Sequence, residues 1–251
     1  MIFDCALLMK KISLSVILFI ITVNAFALSG PIDSLKQKLY TAPNDTVKAK
    51  IYTQLATRYM HYEAIQDKRL KNSYQDTAIN YTLSAIHQYS RIEDSTGLRI
   101  SYDHLAKIYH DQKKFTQAKW FILQANTLAR EQNDVPNIIA SLLTLADIKM
   151  DIHDYDLAKG DLKEALALSA QNCFSKQQSA VIYSFATLYN KTHNKAQAEA
   201  FLKRYAFMKD SMQRDSQMRQ MTKVQVHKKK FYSVSNTLRY KSNLTGRTIS
   251  L

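Results

Sequence analysis

Glycine and proline are scarce in this chain: 4 and 3 of 251 residues, about 3% together against roughly 12% in an average protein. Sandwiches, barrels and doubly wound sheets turn every few residues and consume both types. That deficit excludes them and leaves an all-α protein. Gly30, Gly97, Gly160 and Gly246 are also too scattered to write a G-x-G-x-x-G or Walker-type phosphate loop. Cysteine is rarer still. Cys5 and Cys173 are too few for a disulfide framework or a Cys-based zinc site. No G-x-S-x-G elbow occurs. The seven histidines are dispersed, and His104 and His110 lack the spacing and acidic partner of a helical zinc motif. No catalytic residue, cofactor site or metal ligand set is expected.

Acidic residues are in deficit too, 21 against 35 Lys and Arg, for a net charge of +14. The excess is local. From Met212 to Leu251, nine Lys and Arg stand against Asp215 alone, so this tail carries +8 of the total. The rest is mildly basic and does not interleave its charges with aromatics as a nucleic-acid surface would. Nucleic acid is not an expected partner.

A long membrane-spanning run is absent as well. Residues 12–23, ISLSVILFIITV, form the one uncharged apolar stretch, preceded by Lys10-Lys11 and followed by Ala25-Phe26-Ala27. A basic start, a short apolar core and an A-x-A site read as a secretory signal over residues 1–27. The run falls short of the roughly 20 residues that cross a bilayer. Membrane contact is therefore expected only through this segment, as a signal or an uncleaved anchor. Met9 is the more natural start. The expected compartment is the bacterial periplasm or the exterior.

What is abundant is a repeat. Shifted by 40 residues, the chain aligns Ala78, Ala118, Ala158 and Ala198 in one column and Ala85, Ala125 and Ala165 in a second. Ala106, Ala146 and Ala186 form a third, preceded by Leu105, Leu145 and Phe185, with Tyr102, Leu142 and Ile182 three residues earlier. Within a copy, Tyr102, Leu105, Ala106 and Tyr109 share one helix face, and Phe115, Ala118, Ile122 and Ala125 share another. Neither helix buries its apolar face alone, so stacked copies form a solenoid.

These residues resemble the tetratricopeptide repeat: a bulky residue, Leu-Ala and Tyr in the first helix, then Ala, an aliphatic residue and Ala in the second. The pattern recurs at Leu142, Leu145-Ala146, Ala158, Leu162 and Ala165, where Lys149 replaces the expected Tyr. It recurs again at Ile182, Phe185-Ala186, Tyr189, Ala198 and Leu202, and less regularly at Tyr52, Leu55-Ala56 and Tyr59. The resemblance implies a right-handed superhelical solenoid of four antiparallel helix pairs over about residues 34–210. The period of 40 exceeds the usual 34, and the extra residues are expected between copies, at Arg91–Gly97, Glu131–Pro136 and Gln171–Ser175. A long loop, Glu63 to Ser73, is expected inside the first pair.

The resemblance further implies a protein or peptide partner bound on a concave surface lined by the first helix of each pair. The non-core positions there are Lys50, Thr53, Thr57, Asp103, Lys107, Leu143, Asp147, Tyr183 and Thr187. The Lys/Asn/Arg clamp of one subgroup is absent, and Asp103 and Lys107 are spaced to pair with each other. Residues 206–230, with Met208, Met212, Met218, Met221 and Val224, read as a helix capping the last repeat. They are similar to the connector of exported sensor proteins that pass through a coiled coil and a membrane span to a kinase or DNA-binding output. Residues 231–251 are polar and basic and read as a disordered tail. The function expected is a non-enzymatic, exported interaction module; the alternative is the sensor segment of a membrane signal-transduction regulator lacking its output domain.

Overall fold

In a computed structural model the described residues are 30–247, with side chains described over 30–225. The signal-peptide reading of residues 1–27 lies outside them. The described residues form nine helices and no strand: α1 (Pro31–Tyr40), α2 (Asp45–Tyr59), α3 (Lys68–Arg91), α4 (Ser95–Asp111), α5 (Phe115–Glu131), α6 (Val135–Asp151), α7 (Tyr155–Gln171), α8 (Ser175–Lys191) and α9 (Lys195–Arg247). Contacts divide the chain into two compact units, the first ending at Asn137 and the second beginning at Ile138. In the first, α2 packs on α3 and α4 on α5, with α1 against α2 and α3 against α4. In the second, α7 packs on α8 and α8 on α9.

From α4 to α8 each helix has 17 residues. Three residues connect each to the next, and the middle one always has positive φ: Lys113, Asn133, His153 and Cys173, as do Glu93 before α4 and His193 after α8. Each turn is a Schellman motif. At the first of the four, the Lys114 N–H donates to the Tyr109 carbonyl at 2.8 Å and the Lys113 N–H to the His110 carbonyl at 2.8 Å. The next residue then starts the following helix. Asp94, for example, accepts from the Gly97 N–H at 2.9 Å through its side chain. Turn and cap share three residues, and within each unit helices joined this way pack against each other.

This corrects one sequence expectation. The connections between copies are no longer than those within copies. The residues beyond the usual period lengthen the helices instead.

Every alanine of the three columns is buried, none more than 2% exposed. Burial of one-carbon side chains lets facing helices approach, and Leu105, Ile108, Ile122, Leu162, Ile182 and Leu188 fill the space beside them. Gly97 takes this to its limit. A Cβ there would lie 2.3 Å from the Tyr89 ring, so only a hydrogen fits.

Inside each pair, one contact recurs in changing chemistry. Tyr59 stacks on Tyr81 at 5.7 Å, Tyr109 on Phe121 at 5.5 Å, and Tyr189 lies 5.4 Å from Phe201. In the third pair the same place holds an ion pair, Lys149 Nζ to Asp161 Oδ2 at 2.6 Å, with side chains 10% and 14% exposed. Lys149, which departs from the repeat pattern, thus departs together with its partner.

The first pair differs in its connection. The loop spans 60–67 rather than 63–73, because α3 starts at Lys68 and gains its extra length as helix. Tyr62 anchors this loop. It is fully buried, and its hydroxyl donates to Asp111 Oδ2 at 2.7 Å. Burial first, and that hydrogen bond second, hold its phenol well above the usual tyrosine range.

At the carboxyl end the last repeat helix runs without a break into 206–230, and it continues through 231–247, where the sequence reading placed a disordered tail. No proline occurs after Lys195 and no glycine before Gly246, so nothing local terminates it. The cap is also shorter than its methionines suggest. Met208, Ser211 and Met212 are half-buried, whereas from Gln213 to Gln225 every side chain is exposed, with Met218 at 60% and Met221 at 67%. The 17 residues of α8 run out at that point, so the exposure of α9 begins where its packing partner ends.

The buried ion pair yields a prediction. Lys149→Met alone removes the cation 2.6 Å from the nearly buried Asp161 carboxylate and should destabilise the fold by up to about 3–5 kcal/mol, while Lys149→Tyr with Asp161→Phe, restoring the aromatic pair of its neighbours, should be neutral or stabilising. Denaturant unfolding measures both. A double variant as unstable as the single one would show that the pair is not interchangeable with the stacked rings.

Candidate functional site

The first helices of the pairs are α2 and α4 in the first unit, and α6 and α8 in the second. Asn44 caps α2, accepting from the Val47 N–H at 2.9 Å. Ala49, Ile51, Leu55 and Ala56 are buried. The face left over carries Lys50 and Thr57, both exposed, and Thr53, half-buried. Thr53 Oγ1 donates to the Ala49 carbonyl at 3.1 Å and lies 3.1 Å from the Tyr89 hydroxyl. Thr57 Oγ1 donates to the Thr53 carbonyl at 2.8 Å. With their protons committed to the helix, both threonines present methyl groups and acceptor oxygens.

On α4 the expected partnership of Asp103 with Lys107 is replaced by two others. Arg99 Nη1 donates to Asp103 Oδ2 at 2.8 Å, and Lys107 Nζ donates to Glu63 Oε1 at 3.0 Å across the 60–67 loop. Arg99 is only 8% exposed. Burial raises the Asp103 carboxyl to about 6, and the Arg99 guanidinium opposes this. Glu63, fully exposed, is held below the usual carboxylate range by its hydrogen bond from Lys107.

In the second unit, Leu143 is half-buried and Asp147 exposed on α6. Tyr183 on α8 is 51% exposed, its ring 5.2 Å from that of Tyr205. Thr187 Oγ1 donates to the Tyr183 carbonyl at 3.3 Å. The nine positions thus fall into two groups, Lys50, Thr53, Thr57, Asp103 and Lys107 in one unit and Leu143, Asp147, Tyr183 and Thr187 in the other.

The structure adds a feature absent from the sequence reading. α1 lies against α2 and opens a cleft of about 490 Å³ that includes Thr53 and Thr57. Lys38 and Leu35 of α1, Arg58 at the end of α2 and His61 just beyond it are also part of the lining. Its signal was present in Pro31 and Asp33, a proline at the first helical position followed by an acid in the first turn.

Neither a family model nor a curated protein matches the sequence. Solved structures do. A Podosopora anserina protein described as a kinesin light chain with nearly identical TPR-like repeats superposes with a TM-score of 0.58 at 18% identity, over 73% of this chain and 87% of that one. BtubC from P. vanneervenii superposes with a TM-score of 0.51 at 16% identity, over 72% and 88%. The fold is a tetratricopeptide-like solenoid. Among the described residues of this tetratricopeptide-like array, no group of three or more His, Cys, Asp and Glu is placed to hold a metal ion. No described helix is long and apolar enough to cross a membrane.

The raised Asp103 carboxyl makes stability pH-dependent. Its native form holds the proton to about 6, whereas the unfolded group releases it near its ordinary 3.8. Its contribution is complete below that lower value and is lost as pH rises towards 6. Asp103→Asn should flatten the unfolding free energy across this window and leave it unchanged in slope above pH 7. An unaltered slope between pH 4 and 6 would contradict the assignment.

Proposed function

We propose that this chain is an exported, non-enzymatic interaction protein that binds a protein or peptide partner along the first-helix faces of its repeats. The observation that carries the reading is the α2 face. Its core side is closed by fully buried Ala49, Leu55 and Ala56, while its other side presents Lys50, Thr53 and Thr57 beside an open cleft. Tyr183 supports it from the second unit, since a large amphipathic ring half-exposed on a rigid helix is a frequent anchor in interfaces. Export rests on Lys10-Lys11, the apolar run and Ala25-Phe26-Ala27.

Length favours a second reading. α9 extends for 53 residues and outruns its packing partner after Met212, as a connector to another domain does. Under that reading the array is the sensor segment of a membrane signal-transduction regulator.

The test is partner recovery from the native envelope fraction, by cross-linking with the purified chain as bait. Thr57→Trp and Tyr183→Arg, each blocking one unit's face, should reduce recovery of the same partner by about tenfold or more. Thr127→Arg, on the exposed side of second helix α5, should leave recovery and melting temperature unchanged. Equal recovery with all three variants would overturn the reading.

A further inference from the structure

We infer that the cleft between α1 and α2 recognises an acidic segment of the partner, through carboxylate side chains within the segment. This rests on the interaction reading above and names the chemistry of what is bound. The cleft's charge carries it. Lys38 enters from α1, with Arg58 and His61 at the far end of α2, and among the described residues no carboxylate lines the space. The acids of the first unit that form ion pairs are engaged elsewhere: Asp45 with Arg91 at 3.2 Å, Asp103 with Arg99, and Glu63 with Lys107. Lys38 and Arg58 have no ion-pair partner among the described residues. Asp33, the remaining acid of α1, sits in its first turn at the opposite end from Lys38.

Position reinforces charge. Lys50, Gln54 and Arg58 succeed one another at four-residue intervals, so they follow one side of α2, and His61 lies just beyond its end. A segment lying along that side meets Lys50 at one end, Arg58 at the other and the Gln54 amide between them. Leu35 and the methyl groups of Thr53 and Thr57 give it an apolar floor, suited to side-chain methylenes. The volume, about 490 Å³, lies within the usual range of ligand clefts, roughly 300–1,000 Å³. Arg58 presents a planar guanidinium, which takes a carboxylate in bidentate fashion, while Lys38 adds a mobile point charge.

The experiment must separate this cleft from the chain's general positive charge, because α9 is strongly basic. The probe is a short fluorescent peptide of alternating Glu and Ala with both ends capped, measured by anisotropy on the full chain at an ionic strength of about 0.15 M. Its Gln counterpart is the control. Wild type and a tail variant (Lys228→Gln, Lys229→Gln, Lys230→Gln) should bind the acidic peptide alike, and the Gln peptide should not bind. Lys38→Glu with Arg58→Glu should weaken binding about tenfold or more. Lys38→Gln with Arg58→Gln serves if charge reversal perturbs the helical circular dichroism. Loss of binding in the tail variant, retention in the cleft variants, or no binding by wild type overturns the inference. In those cases, partner recovery that still depends on Thr57 leaves the binding surface intact and removes only the acidic class. Recovery independent of Thr57 removes both.

Discussion

The fold depends on side chains of one carbon at fixed places in facing helices. Ala78, Ala118 and Ala158 are fully buried, as are Ala85, Ala106, Ala146 and Ala165. Where they face another helix, the backbones come close enough for Leu, Ile and aromatic neighbours to interdigitate around them. Apolar burial then stabilises each pair by far more than either helix could gain alone. Because interiors are close-packed, neither a gap nor an added methylene is tolerated freely at such a contact. Gly97 under Tyr89 shows how little slack remains, and the requirement is repeated every 40 residues.

The turns follow from this spacing. A helix of 17 residues and a three-residue connection return the chain to the same position on the next helix, so the buried columns stay in step. The connection works because its middle residue adopts a left-handed conformation. The chain uses Glu93, Lys113, Asn133, His153, Cys173 and His193 there rather than glycine. Such residues cost on the order of 1 kcal/mol each in that conformation, an expense that tertiary packing covers.

The alanine columns were legible in the sequence because burial of a small residue is a property of the repeat, and the repeat period is constant. The turns were not, since glycine, the usual sign of a left-handed residue, is missing from all six. The lengths of helix and connection were therefore misdivided, although their sum was right. Side-chain pairing was legible only in part. Asp103 has a cation four residues away on each side, Arg99 and Lys107, and spacing alone does not choose between them. Glu63, forty-four residues from Lys107, settles the matter through the 60–67 loop. Likewise Lys149 stood out as an irregularity, but Asp161 became its explanation only when α6 and α7 were side by side. At the carboxyl end, methionine spacing suggests a cap longer than the half-buried stretch that ends at Met212, because a sequence pattern does not record where the neighbouring helix ends.

The buried column beneath the surface is what gives the exposed face of α2 a defined shape. The central claim is that the alanine positions are contacts rather than accidents of composition. Thermal unfolding of Ala118→Leu, compared with Ala167→Leu at an exposed position of α7, tests it most directly. The account predicts that Ala118→Leu destabilises the fold by about 1–3 kcal/mol through overpacking, while Ala167→Leu stays within about 0.5 kcal/mol of wild type. Equal melting temperatures for the two variants would contradict it.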